Sequence, residues 1–155
     1  MPSIDLPTVP GISARYFAGE EDFPAMAGLV DADARAAGQE AVTDPAVLPA
    51  YFANAENLEL ARDCVFVEVD GEPVGYVIGR WFQRAGGPRV YRHMCKLLPE
   101  WGGRGIGTAM LLWVQGHLAG IAAGHDVSEK VYQTDGNPKA KRLIALLEAN
   151  GYRPI

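Results

Sequence analysis

Cysteine is scarce in this chain: 155 residues contain only Cys64 and Cys95. Two such thiols build no disulfide framework, and no metal-ligand spacing accompanies them. Their scarcity fits a reducing, cytoplasmic setting. No unbroken apolar run reaches 18 residues, so no membrane span is expected. The start, Met-Pro-Ser-Ile-Asp-Leu-Pro, lacks the basic and apolar regions of a secretory signal. Basic charge is also short. Lys and Arg total 14 against 19 Asp and Glu, a net charge of −5, which argues against a general nucleic-acid binder. It does not argue against a small anion, which needs only local N–H groups and one or two cations. What is present, 48% apolar and 21% charged residues, suits one domain around one core.

Glycine, by contrast, is concentrated. Residues 99–111 read Pro-Glu-Trp-Gly-Gly-Arg-Gly-Ile-Gly-Thr-Ala-Met-Leu, with four glycines in six positions. Beyond them Met110, Leu111, Val114, Leu118 and Ile121 recur at the spacing of one buried helical face. Before them Tyr91 to Leu98 is an apolar-rich run of strand length. The order strand, glycine loop, helix lets backbone N–H groups approach an anion, and the helix N-terminus adds partial positive charge. The guest this implies is a phosphorylated cofactor. A dinucleotide fingerprint is an alternative, with Asp126 at the distance of a ribose contact, but Gly103-x-Gly105-x-Gly107 has the wrong spacing and lies late in the chain. A Walker loop would need a Lys before Thr108. A plain turn is the bland alternative, and four glycines are a costly way to make one.

The remaining pattern supplies an order of elements. Residues 1–11 hold three prolines and read as a flexible or extended arm. Ile12 to Phe17 reads as a strand. Glu20-Glu21-Asp22 then opens a helix with the stripe Phe23, Met26, Ala27, Val30 and Ala34. Thr43-Asp44-Pro45 opens a second, with Leu48, Tyr51, Phe52 and Ala55 as its stripe. Cys64 to Val69 and Pro73 to Phe82 are strands around an Asp70-Gly71 hairpin turn. Val90 to Leu98 completes an antiparallel meander. The third helix covers about 104–123, and Val131 to Thr134 is a short strand. Asn137-Pro138 opens a last helix, as N-cap and N1, ending at Gly151. Tyr152 then begins a last strand.

The loop Pro-Glu-Trp-x-Gly-Arg-Gly-Ile-Gly-x-Ala resembles the cofactor loop of the GNAT superfamily, the acyl-CoA-dependent N-acyltransferases. Gly105 and Gly107 match that family's glycines, while Gly102 stands where it places Arg or Gln. Val69-Asp-Gly-Glu-Pro-Val-Gly-Tyr resembles the family's middle hairpin, Asn137-Pro-Lys-Ala its helix opening, and Gly151-Tyr152 its Gly-Phe or Gly-Tyr pair. The resemblance covers residues 12–155. It implies an α/β (α+β) GNAT fold, a mixed central sheet with an antiparallel meander flanked by helices. The run from Leu146 to Pro154 resembles the end of the first repeat in tandem GNAT proteins of the mycothiol-synthase type. Together with the family's usual further strand, this implies a domain incomplete at its C-terminus, with a second GNAT-like domain or a second copy as partner.

The same resemblance implies acetyl-CoA as cofactor and a primary amine, on a small molecule or a peptide, as acceptor. Gly102, Gly103, Arg104, Gly105, Ile106, Gly107 and Thr108 would hold the pyrophosphate. Cys95, Leu97 and Leu98 would offer backbone to the pantetheine arm, and Asn137 would contact it, a role compatible with simple N-capping. Tyr91 stands about where the family places a Glu base. His93, two residues on, has a suitable ordinary pKa near ~6.5, though a hydrogen-bonded structural histidine is the plainer reading. Cys95 reads as a small buried residue rather than a nucleophile, and Trp101 and Trp113 as packing. His117 and His125 flank the third helix on its surface. Ile144, or Leu147 in a second register, replaces the family's Tyr acid. An N-acetyltransferase is therefore expected, with a non-catalytic CoA-binding or scaffolding GNAT domain as the alternative.

Overall fold

Along Cys64–Val69 every residue but one is buried, because this strand is covered on both faces. Side chains alternate across a strand, so Cys64 and Phe66 enter one apolar cluster with Phe23, Met26, Leu29, Phe52, Tyr76 and Ile78. Val65, Val67 and Val69 enter the other, with Val77, Tyr91, Met110, Val114 and Leu118. The computed structural model describes residues 2–40, 42–135 and 141–155.

Five strands form one sheet in the order β1-β2-β3-β4-β5. They are Ile12–Tyr16, Cys64–Val69, Glu72–Gln83, Arg89–Leu97 and Lys130–Thr134. The first four run antiparallel to their neighbours, and β5 runs parallel to β4. The helices are α1 (Phe23–Ala36), α2 (Leu48–Ala53), the single turn α3 (Leu60–Asp63), α4 (Ile106–Ala123) and α5 (Lys141–Ala149). Helices α1 and α2 pack over one sheet face, and α4 and α5 over the other. This is the mixed sheet flanked by helices that the sequence implies.

Local chemistry explains several boundaries. Asp70 and Gly71 have φ of 52° and 80°, the left-handed pair that a two-residue hairpin requires. The Asp44 carboxylate accepts the Ala46 N–H at 2.9 Å and starts the turn before α2, as Thr43-Asp44-Pro45 suggests. By length and composition α4 is apolar enough to cross a membrane, with a mean hydropathy of 1.3, against the expectation from unbroken runs. That apolarity is used in the core, where Ile106, Met110, Leu111, Val114 and Leu118 are buried.

Three expectations change. No strand begins at Tyr152. Its N–H bonds the Leu147 carbonyl, and the Gly151 N–H bonds that of Glu148, so the amide a strand would use closes the end of α5 in a Schellman cap. The outer edge of β5 therefore has no neighbour among the described residues. The N-terminal arm is extended but packed, with Pro2 buried and Ile4 and Leu6 against the core. Finally, α1 buries Leu29 and Asp31 rather than Val30 and Ala34. The Asp31 carboxylate accepts the Thr43 N–H and hydroxyl, the latter at 2.7 Å.

Close packing of α4 on the sheet depends on Gly79. A Cβ there would lie 2.8 Å from Val114 Cγ2 and 3.2 Å from Leu118. Gly79→Val should therefore destabilise the fold by about 1–3 kcal/mol through overpacking, read as a lowered midpoint in urea unfolding. An unchanged midpoint would show that α4 has room to move.

Candidate active site

The glycine loop joins β4 to α4 through a short turn at Pro99–Trp101. Gly103 and Gly105 have φ of 77° and 90°, and Gly105 caps α4 without a side chain. The first intrahelical bond runs from the Ala109 N–H to the Gly105 carbonyl at 3.1 Å. The amides of Ile106, Gly107 and Thr108 precede it and have no helical acceptor. Ile106 contributes only this backbone, since its side chain is fully buried. Gly103, Arg104, Gly105 and Thr108 are exposed, so an anion can reach the cradle.

The cation at this cradle comes from an unexpected place. A Cβ on Gly102 would collide with Nη1 of Arg142 and lie 3.1 Å from its Cζ. The guanidinium of α5 thus occupies the space where the family pattern puts a side chain at position 102. Arg104 instead lies over the Trp101 ring at 4.7 Å. Proximity of 102 and 142 is a tertiary fact that no local spacing signals.

Beside the loop, β4 loses one neighbour. Its pairing with β5 runs from Arg89↔Lys130 to His93↔Thr134 and stops, while its pairing with β3 continues to Leu97. The Thr134 hydroxyl donates to the His93 carbonyl at 2.8 Å, so the backbone of His93 faces β5. Backbone groups alternate along a strand. Cys95 and Leu97 therefore turn theirs toward the opening that β5 leaves. Leu98 does not, which corrects its expected role. Its N–H bonds the Val74 carbonyl, and its own carbonyl accepts the Trp101 N–H.

The expected catalytic pair is placed differently. Tyr91 is fully buried within the closed part of the β4–β5 ladder, and its hydroxyl lies 2.7 Å from His125 Nδ1. A phenol held there cannot meet a substrate at the opening, so Tyr91 is structural. His93 lies at the end of the ladder, 3% exposed. Burial pushes its pKa down to about 4, so it has no ionisation near neutral pH. Its Nε2 lies 2.6 Å from the Tyr152 hydroxyl, and its buried Nδ1 has no partner among the described residues. Tyr152, unassigned by the sequence, thus brings a phenol to the splay. Burial raises its pKa, so it keeps its proton. The Cys95 thiol is pushed up to about 12 by its packing, which leaves it no nucleophile. His117 and His125 are not free surface groups, because His117 Nε2 meets the buried Asp63 carboxylate at 2.7 Å. Asn137 lies outside the described residues.

On the opposite face, between α2 and the sheet, lies a cavity of about 610 Å³. Its lining includes Tyr51, Phe52, Arg80, Arg92, Lys96 and Asp135. It spans both sides of the point where the β4–β5 ladder ends.

The sequence model of the Acetyltransferase (GNAT) family matches residues 29–152. The chain belongs to this family. Solved structures agree on the fold. A GCN5-related N-acetyltransferase from Sphaerobacter thermophilus aligns with a TM-score of 0.77 at 24% identity, over 96% of this chain. This GNAT chain spans 45% of that protein's length. YncA, a putative acetyltransferase from Salmonella typhimurium solved with acetyl-CoA, gives 0.67 at 16% identity over 92% of this chain and 80% of its own. The aminoglycoside N-acetyltransferase AAC(6')-Iy in complex with CoA gives 0.63 at 15% identity over 96% and 92%. No curated protein matches the sequence.

The buried histidine makes a stability prediction. Between about pH 6.5 and 4 the unfolded chain binds a proton at His93 that the folded chain refuses. Stability should therefore fall as pH falls through that window, by about 3 kcal/mol when complete, and not change on this account above it. His93→Gln should flatten this stretch of the stability–pH curve. Parallel curves for variant and parent would show that His93 titrates normally.

Proposed function

We propose that this GNAT domain is an acetyl-CoA-dependent N-acetyltransferase acting on a primary amine. When bound, acetyl-CoA supplies an activated thioester whose acetyl group passes to an amine with release of a thiol. The observation that carries this reading is the conjunction of the glycine cradle with the one-sided opening of β4. The cradle fits a pyrophosphate: Gly103 and Gly105 carry no side chain at its exposed rim, and the Ile106, Gly107 and Thr108 amides lie at the helix N-terminus with its dipole. Arg142 adds a charge-assisted contact in place of the residue missing at 102. Cys95 and Leu97 take an amide-rich arm as an added strand would be taken.

Proton handling falls to Tyr152. Its Oη holds a proton beside the end of the ladder and can give it to a departing thiolate, the part that Ile144 and Leu147 cannot play. His93 is a positioning residue that holds this phenol. An ammonium acceptor with a pKa near ~10.4 costs roughly 4–5 kcal/mol to neutralise at pH 7, and a histidine with so low a pKa is too weak a base to help. The acceptor therefore reacts as its free amine, the proton having gone to bulk water before it enters. Two unpaired thiols support a reducing, cytoplasmic setting. A partner strand, from a second copy or a second GNAT-like domain, belongs on the free edge of β5, where exposed Val131 and Tyr132 support such pairing. The non-catalytic alternative rests on the apolar residues at both family Tyr positions.

Thermal shift and calorimetry with acetyl-CoA test the cofactor site. The parent should bind, with about 2.7 kcal/mol of stabilisation at one hundred times the dissociation constant. Gly105→Val should abolish binding, and Arg142→Ala should weaken it by roughly ten-fold or more. Thiol release with an amine panel then tests catalysis, where Tyr152→Phe should lower turnover by about 100-fold with acetyl-CoA affinity retained. Binding without thiol release would support the non-catalytic CoA-binding reading, and absence of binding would refute the acetyltransferase and leave only a scaffolding domain.

A further inference from the structure

The cavity under α2 carries a charge pattern opposite to that of the chain. The protein has a net charge of −5, yet the described lining holds Arg80, Arg92 and Lys96 against a single carboxylate, Asp135. His93, also in the lining, is neutral by the argument above. Lys96 is satisfied from outside the cavity, by Asp33 of α1 at 2.8 Å. The two arginines are not comparably satisfied.

Arg80 and Arg92 are direct cross-strand partners in the β3–β4 ladder. Like charges placed so destabilise a sheet. Nothing in the core requires them, since both rise on the cavity face and share the ring of Phe82, at 5.1 and 5.7 Å. Arg80 donates from Nη1 to the Glu56 carbonyl at 3.2 Å. Among the described residues Arg92 reaches only the Asp135 carboxylate, at 3.4 Å, whose side chain is 77% exposed. Most telling, Nε of Arg92 is buried and has no hydrogen-bond partner among the described residues. A buried unmatched N–H on a cation is costly, the Arg92 side chain as a whole is 34% exposed, and a guanidinium fork matches a carboxylate in bidentate fashion.

We propose that the acceptor carries a carboxylate as well as its amine, and that Arg92, helped by Arg80, binds it. The inference rests on the acetyltransferase reading for the amine, but the carboxylate site stands on the arginines alone. The cavity's 610 Å³ is of the size that takes a small ligand, and an amino acid fits within it. Tyr51 and Phe52 supply an apolar wall for its side chain. The pattern selects against polycationic amines such as aminoglycosides, which Arg80, Arg92 and Lys96 would repel.

The test separates this claim from the acetyl-transfer reading. Arginine Nε–Hε resonances of the isotopically labelled protein are recorded, with Arg80→Gln and Arg92→Gln assigning them. N-acetyl-leucine, which resembles a product, should shift the Arg92 resonance in a saturable way, and N-acetyl-leucinamide should not. This readout needs no acetyl-CoA, so it stands if cofactor binding fails. Where acetyl transfer is detected, leucine should exceed the decarboxylated isopentylamine in kcat/KM by at least ten-fold, and Arg92→Gln should bring that ratio near unity. Equal responses to the acid and its amide, no response to either, or a preference for the decarboxylated or a polycationic amine would overturn the proposal. Should the glutamine variants fail to fold, Arg80→Lys and Arg92→Lys, which keep the charge, remove the same resonances and assign them.

Discussion

The site depends on where β5 leaves β4. The Thr134 hydroxyl bonded to the His93 carbonyl marks the last shared position of the two strands. Past it β4 keeps β3 on one side and has no strand on the other among the described residues. A parallel strand that separates in this way leaves the N–H and C=O groups of alternate residues without ladder partners. In the middle of a sheet such groups would be an energetic defect. At the mouth of a glycine loop they are the edge that the proposed cofactor arm would use, and the loop, Tyr152 and the cavity under α2 all converge on it.

The surrounding packing keeps that edge fixed. Both faces of the sheet are covered, so β4 cannot bend toward its missing neighbour without disturbing two apolar clusters. Gly79 brings α4 close to the sheet, which sets where the loop ends and the helix begins. The capped end of α5 returns Tyr152 across the gap to His93. Asp63, fully buried, ties α3 to α4 through His117. The buried polar groups thus divide by purpose. Asp31 and Asp63 are bonded on all sides and brace elements. Among the described residues His93 Nδ1 and Arg92 Nε are left unmatched, and both belong to residues at the end of the ladder.

Much of the fold was legible because local signals agree with tertiary ones. The apolar run Cys64–Val69, the Asp70-Gly71 turn and the stripe from Met110 to Leu118 each have one physical solution. The glycine loop was legible for the same reason, since its composition makes sense only against a backbone-bound guest. What stayed hidden depends on distance in space. Arg142 fills the place of the side chain absent from Gly102, forty residues away in the chain, and nothing in either segment announces it. Tyr152 read as the first residue of a strand because Gly-Tyr after a helix suits that role, but the helix cap consumes its amide. Tyr91 and His93 lie on one face of β4 as alternation requires. Alternation alone could not tell that the ladder is closed at 91 and open only beyond 93. The Arg80–Arg92 pair needed the register of two strands before it could be seen at all.

The central claim is that the β5-facing backbone of β4 binds the cofactor arm, and amide hydrogen exchange tests it residue by residue. Without ligand, the amides of Met94 and Lys96, turned toward β3, should exchange slowly, and those of Cys95 and Leu97 quickly. Saturating CoA should slow Cys95 and Leu97, together with the amides of Gly103 to Thr108, and leave Met94 and Lys96 unchanged. Uniform protection along 94–97 before CoA is added, or no slowing at Cys95 and Leu97 when CoA is bound, would contradict the account.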